Sequence, residues 1–180
     1  EGGHTYAVEL LEQVLNMNEG KYLDEDLTDA FPSNFCVGVA GYPEKHFESP
    51  NLELDLEYTK AKIDAGANYI VTQMFFNNEH FFKFVDDCRA AGITVPIIPG
   101  LKPLTAKGQL QSIPRNFHLN LPDDLIEAVE AAKTPEAVKQ VGVEWCIAQS
   151  KELMDKGVPV LHYYTMSKAD ETEQIASALF

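Results

Sequence analysis

Basic side chains are scarce in this sequence. Lys and Arg number 14 against 28 Asp and Glu, a formal net charge of −14 over 180 residues. Binding along a phosphate backbone needs a positive surface, so nucleic acid is not expected as a partner. The same shortage removes a polybasic membrane patch. No apolar run approaches the roughly 20 residues of a membrane span, and the first residues do not resemble a signal peptide. Cysteine is also rare. Cys36, Cys88 and Cys146 are odd in number and far apart, which excludes a disulfide framework and a zinc pattern. A cytoplasmic, reduced protein is the simplest expectation. His4, His46, His80, His118 and His162 have no metal-ligand spacing, and no metal site is expected. Neither G-x-G-x-x-G after a strand nor G-x-x-x-x-G-K-[ST] occurs, so the Rossmann and P-loop phosphate cradles are missing. G-x-S-x-G is missing too.

What is present is ample apolar material, 45% of the chain, in an alternating order. A helix is expected over 5–17, where Tyr6, Leu10, Leu11, Val14 and Leu15 recur at helical spacing. Residues 18–34 are polar and acidic and read as a long loop. Strands are expected over 35–40, 69–76, 95–101 and 158–164. Helices are expected over 52–65, 79–91, a short segment near Gly108, 122–133, 135–156 and 170–179, the last capped by Ser167 or Asp170. Gly66, Gly92 and Gly157 close three helices, a place where glycine enters the left-handed region without penalty. Repeated strand–helix units imply a parallel sheet with right-handed crossovers. The units do not choose between an open sheet and a closed barrel. Four strands are few, and a (β/α)8 barrel takes about 250 residues, so the chain fits one domain forming the second half of such a barrel. It begins with Glu-Gly-Gly-His rather than Met, as expected of a processed chain or a piece of a longer one.

In a parallel α/β fold the site forms at the carboxyl ends of the strands. Gln73 stands where the strand Tyr69-Ile70-Val71-Thr72 should open into its loop. Its amide both donates and accepts, which suits a flat heterocycle, and equally suits a satisfied core amide. The loop Gly41-Tyr42-Pro43-Glu44-Lys45-His46 gathers an aromatic, a carboxylate, a cation and an imidazole after the first strand. It is either a ligand-contacting loop or an ordinary turn. Asp55 and Lys62, seven residues apart, share a helix face, and a solvated charged face is the simpler reading. In so acidic a chain Lys62 would still matter to a phosphate-bearing cofactor. Lys102, Lys107 and Gln109 follow the third strand and Lys168 the fourth. Each is either surface decoration or part of one shared mouth. The aromatic run Phe75, Phe76, Phe81, Phe82 and Phe84 reads as core packing.

Several ordered motifs together resemble the methylenetetrahydrofolate reductase family, from about Tyr6 to the end of the chain. They are Ala40-Gly41-Tyr42-Pro43-Glu44-x-His46, then Asp55, Lys62-x-Asp64-Ala65-Gly66-Ala67, Thr72-Gln73-x-Phe75-Phe76, Ile98-Pro99-Gly100-x-x-Pro103, and Gly157-Val158 with His162-Tyr163-Tyr164-Thr165 and Lys168. The resemblance implies the C-terminal half of a flavoprotein (β/α)8 barrel. Its reaction takes 5,10-methylenetetrahydrofolate to 5-methyltetrahydrofolate with FAD and with NADH or NADPH as donor, in one-carbon metabolism and methionine biosynthesis. Tyr6, Ala7, Tyr42 and His46 would then contact FAD, Asp55 would hold a ribose or adenine-side group, and Lys62 would neutralise phosphate. Gln73 would bond the pterin, while Gln109 and Lys168 would approach the folate. Where the family usually has Arg, this chain has Lys168, a point charge in place of a planar fork. The family's general-acid Glu and an Asp near the flavin have no counterpart here. The chain is therefore expected to carry no catalytic residue of its own and to be inactive as given. It would pair with a missing N-terminal half or another copy, since a half barrel leaves sheet edges open. The other expectation is a non-catalytic half-barrel module for folding or association. An aldolase-type barrel would want a Schiff-base Lys on a strand, and none stands there.

Overall fold

A computed structural model of the chain describes residues 3–24 and 26–180. Glu1, Gly2 and Glu25, the last within the expected acidic loop, lie outside the described residues. The element order is α1 (Ala7–Asn18), β1 (Gly38–Gly41), α2 (Leu52–Asp64), β2 (Tyr69–Met74), α3 (Asn78–Ala90), β3 (Ile97–Leu101), α4 (Gln109–Phe117), α5 (Asp123–Ala131), α6 (Pro135–Asp155), β4 (His162–Tyr163) and α7 (Asp170–Leu179). Local chemistry sets the boundaries. Asn51, Asn77 and Thr134 cap α2, α3 and α6 by accepting backbone N–H bonds from Leu54, Glu79 and Ala137. Gly66, Gly92 and Gly157 take φ of 118°, 82° and 84° after α2, α3 and α6.

The four strands are parallel and lie in chain order, β1-β2-β3-β4. Val39, Ile70, Ile97 and Leu101 point to one face. They pack there against Leu56 and Ile63 of α2, Phe81, Phe84 and Cys88 of α3, Val143, Cys146 and Leu153 of α6, and Ile175 of α7. The opposite face carries Ala40, exposed, and Val71, Gln73 and Ile98, half-exposed. A strand order that never reverses, with its helices on one face, is the winding of a (β/α) barrel. A doubly wound sheet reverses its order and covers both faces. The structure thus resolves the choice that the repeat pattern left open.

A second apolar cluster lies toward the carboxyl ends of the strands. Met74, Phe76, Leu104, Ile113, Leu119, Leu125, Val129 and Val138 join α4, α5 and the start of α6 into a cap beside the mouth. Gly142 of α6 lets that helix meet the loop after β3, because a Cβ there would stand 1.7 Å from the Leu104 carbonyl oxygen.

Three expectations need correction. The first strand starts at Gly38 rather than residue 35. Phe35 is clasped instead by the Asn18 amide, which accepts from its N–H at 2.7 Å and donates to its carbonyl at 2.9 Å. That clasp closes the acidic loop, and the Tyr22 hydroxyl donates to the Phe31 carbonyl inside it at 2.7 Å. The last strand keeps two residues rather than seven, since only Gly100 and Leu101 of β3 pair with it. Finally, neither Ser167 nor Asp170 caps α7. Its N-cap is Ala169, with no side-chain bond, while Met166 and Ser167 take positive φ in the turn before it. Cys36 is exposed, Cys88 and Cys146 are buried, and all three are free thiols. No helix among the described residues is long and apolar enough to cross a membrane.

Candidate functional site

The ladder between β2 and β3 breaks where the site lies. Pro99 has no N–H to give, and the register shifts between Val71 and Met74. Side chains repair the gap. The Thr72 hydroxyl accepts the Gly100 N–H at 2.9 Å, and the Tyr164 hydroxyl donates to the Thr72 carbonyl at 2.8 Å. Gly100 permits this approach, because a Cβ would stand 2.1 Å from the Thr72 oxygen. The Gln73 carbonyl accepts the Met74 N–H at 3.0 Å, which leaves the Gln73 NH2 group without a partner among the described residues.

That NH2 group borders a cavity of about 500 Å³ at the mouth, shared with Lys102, Thr105, Gln109, Tyr164, Lys168 and Glu171. Three expected residues, Gln73, Gln109 and Lys168, therefore converge. Gln109 repeats the Gln73 arrangement. Its carbonyl accepts the Thr105 and Ala106 N–H groups at 2.6 and 3.1 Å, and its NH2 group has no partner among the described residues. Lys102, half-buried, and Lys168, exposed, make no hydrogen bond or ion pair among the described residues. Burial holds the Lys102 ammonium below its ordinary pKa, and Lys168 nearby adds to this, while Glu171 opposes both. Glu171, buried in the first turn of α7, pairs with Lys139 at 3.4 Å. Its carboxyl lies below the usual range because its own backbone N–H, Lys139 and Lys168 favour the anion. Lys107 is engaged elsewhere, on the Glu130 carbonyl at 3.0 Å.

Beside this cavity, the loop after β1 is a closed frame. Lys45, at a left-handed φ of 82°, points its ammonium at the carbonyls of His46, Phe47 and Ser49. Asp55 is buried, 6% exposed, and accepts the His46 N–H at 3.2 Å and the Ser49 hydroxyl at 2.9 Å. The solvated face expected for Asp55 and Lys62 is thus corrected. A carboxylate at the N-terminus of α2 is stabilised by the helix dipole and by the loop it organises. Lys62, half-buried, donates to the Ala40 carbonyl at the end of β1 at 2.8 Å. Burial lowers its pKa, and Asp55 partly restores it. Glu44 reaches across to Asn120, accepting from its backbone and side-chain N–H at 2.8 and 2.7 Å, while its other oxygen is buried without a partner among the described residues.

Above this frame stands a row of rings. Tyr42 meets His46 edge-on at 4.6 Å, His46 lies 5.0 Å from Phe47, and Phe47 stacks on His118 at 4.8 Å. Burial, then Asp55 and Glu48, push the Tyr42 phenol pKa up. Tyr6 and Ala7 are exposed at the start of α1. Leu15 of α1 lies against Gly66 at the end of α2, so the two helices run the same way and Tyr6 lies at the mouth end. Tyr6 and Ala7 line neither this cavity nor a second cleft of about 500 Å³ beside Tyr42, Glu44 and Asp55.

Sequence reasoning missed Tyr164, Thr105 and Glu171 as cavity residues. Tyr164 had a usable signal, since it sits one residue beyond β4, as Gln73 sits at the end of β2. Nothing in the sequence signals Glu171, which reaches the cavity from a helix. The donor set suits a flavin dinucleotide. Tyr42, His46 and Phe47 offer ring faces and edges, and Lys62 retains N–H donors beside them for an anionic linker.

Known proteins give independent matches. A family model described as Methylenetetrahydrofolate reductase matches residues 1–179. A protein of Caenorhabditis elegans named "Probable methylenetetrahydrofolate reductase (NADPH)" is 39% identical over 155 residues, covering 85% of this chain and 23% of the relative. Methylenetetrahydrofolate reductase (NADH) 1 of Arabidopsis thaliana is 35% identical over 177 residues, covering 93% of this chain and 28% of the relative. The chain thus spans about a quarter of the length of these curated relatives. A solved structure, an uncharacterized protein from Clostridium thermocellum that binds two copies of 5-methyl-5,6,7,8-tetrahydrofolic acid, matches with a TM-score of 0.55. At 22% identity, over 78% of this chain and 51% of that one, it is a likeness of fold.

Proposed function

The chain belongs to the methylenetetrahydrofolate reductase family, and on that premise we propose that it forms one side of an FAD-dependent reductase. That enzyme converts 5,10-methylenetetrahydrofolate to 5-methyltetrahydrofolate, with NADH or NADPH as donor. The observation that carries the reading is the convergence of Gln73, Gln109 and Lys168 on one cavity, each with N–H groups that take no partner among the described residues. The folate ligand named for the Clostridium thermocellum protein supports the same substrate class.

FAD, when bound, supplies the two-electron carrier between donor and folate. Tyr42 and His46 would border it with their rings, with Tyr6 and Ala7 nearby at the head of α1, and Lys62 would balance its phosphates. Asp55 acts by fixing the loop that carries His46. Gln73 would donate to the pterin carbonyl, Gln109 would donate along the folate, and Lys168 would meet a carboxylate. The reduction also needs a proton. Glu171, the carboxylate bordering the cavity, is favoured as the anion by its own backbone N–H and by Lys139, and so is a poor proton donor. We therefore infer that the proton donor lies outside the described residues, and that pairing with a missing half-barrel or another copy completes the site.

A second reading, a half-barrel module for association without turnover, is favoured by one observation: among the described residues no helix layer covers the sheet face bearing Ala40, Val71 and Gln73. Titration of the purified protein with FAD tests the first reading. Retention of the flavin band at roughly 450 nm together with calorimetric binding of 5-methyltetrahydrofolate is expected. Self-association with neither ligand bound would establish the second reading instead.

A further inference from the structure

Lys102 is a cation with no counter-charge of its own. It leaves the end of β3, stands half-buried at the cavity wall, and makes no hydrogen bond or ion pair among the described residues. Lys168 borders the same cavity from the turn after β4. The one carboxylate beside them, Glu171, is already paired with Lys139. Two ammonium groups thus face one space in a chain whose formal charge is −14. Elsewhere at the mouth each lysine is engaged: Lys45 on three loop carbonyls, Lys62 on Ala40 and Lys107 on Glu130. An unpaired, partly desolvated ammonium costs stability unless a ligand brings an anion to it.

We propose that Lys102 and Lys168 form a two-cation clamp for the carboxylates of the glutamate portion of a folate, with Lys102 a specificity residue. The inference rests on the folate reading of this cavity. It goes beyond that reading by assigning the acidic end of the ligand to β3 as well as to the β4 turn. Gln73 and Gln109 line the same cavity with uncharged amides, which leaves the two lysines for the charged end. Burial lowers the Lys102 pKa, and a carboxylate partner would offset that cost by favouring the ammonium form. Two carboxylates against two ammonium groups also give binding a steep dependence on salt.

The test compares the wild-type protein with Lys102→Met, which keeps the length of the stem, and with Lys102→Arg, which keeps the charge. Calorimetry would measure 5-methyltetrahydrofolate and its analogue without glutamate, 5-methyltetrahydropteroate. Lys102→Met is expected to weaken the glutamate-bearing ligand by roughly five- to ten-fold and to flatten its salt dependence. Lys102→Arg should restore both, and the glutamate-free analogue should bind wild type and Lys102→Met alike. Equal binding of 5-methyltetrahydrofolate to wild type and Lys102→Met overturns the clamp and leaves the folate site standing. Equal loss of both ligands overturns it as well, by assigning Lys102 to the architecture. If wild type binds neither ligand, the folate reading itself falls, and the clamp with it. A parallel titration with NADPH and NADH separates the other anion source. An effect confined to NADPH would assign Lys102 to a phosphate and overturn the carboxylate assignment.

Discussion

Asp55 and Gln73 stand at the same mouth, the first buried and the second half-exposed, and their partners differ. Both oxygens of Asp55 are taken by its own loop, from His46 and Ser49. Gln73 uses its carbonyl on Met74 and leaves its NH2 group open, and Gln109 does the same across the cavity. The β1 side, with Lys45, Asp55 and Lys62 all engaged, is a finished frame that displays rings. The β2–β3–β4 side presents Gln73, Lys102, Gln109 and Lys168, whose side-chain N–H groups have no acceptor among the described residues. A frame should respond to mutation through stability, and open donors should respond through ligand affinity. Burial, then Tyr42, push the Tyr164 phenol pKa up.

The strongest way to break the contrast is Gly142→Ala. A Cβ 1.7 Å from the Leu104 carbonyl forces α6 away from the loop that borders the open side. The expected cost is about 3 kcal/mol, with folate binding lost as well. A urea midpoint close to wild type would refute the close approach. Next in size is Asp55→Ala, which orphans two donors of the β1 frame and should cost about 2 kcal/mol. Loss of flavin with an unchanged midpoint would instead make Asp55 a ligand group and end the distinction between frame and open donors. Gln73→Ala should do the reverse, weakening 5-methyltetrahydrofolate about ten-fold by removing a donor that faces the ligand. Flavin retention and melting temperature should be nearly unchanged, and equal loss of flavin and folate would contradict its assigned role. Lys168→Arg should change least, tightening folate by roughly two- to five-fold through a bidentate fork. A weaker complex would show that the turn after β4 is shaped for a point charge.

A last measurement concerns the core beneath both sides. Burial pushes Cys88 up to about 11 and Cys146 up to about 12. The folded state then keeps protons that the unfolded state releases above roughly pH 8.5. Stability should therefore fall as pH rises from there. At pH 8 a thiol reagent should label Cys36 alone in the native protein and all three cysteines after unfolding.

Much of this was legible in the sequence. Gly66, Gly92 and Gly157 mark helix ends because left-handed φ follows from local sterics. The parallel repeat and the buried Phe75, Phe76, Phe81 and Phe84 follow from periodicity and apolar content. Gln73, Gln109 and Lys168 could be picked out because strand ends in such folds share one mouth. The ends of β1 and β4 were not legible, because pairing depends on what lies alongside. Apolar residues 35–36 and 158–161 read as strand, but they find no partner in the sheet.

Residue order by itself determined the alternation of strands and helices, the excess of negative charge and the placing of Gln73 at a strand end. Each of these depends on chemistry within a few neighbours along the chain. Only the tertiary structure decided which polar groups are engaged and which are open. Asp55 meets Ser49 and His46 only after the β1 loop folds back. Lys102 and Lys168 come together only because β3 and β4 are adjacent, with their carboxyl ends at one edge. Whether a hydrogen-bonding group has a partner depends on distance in space, to which separation along the chain is no guide.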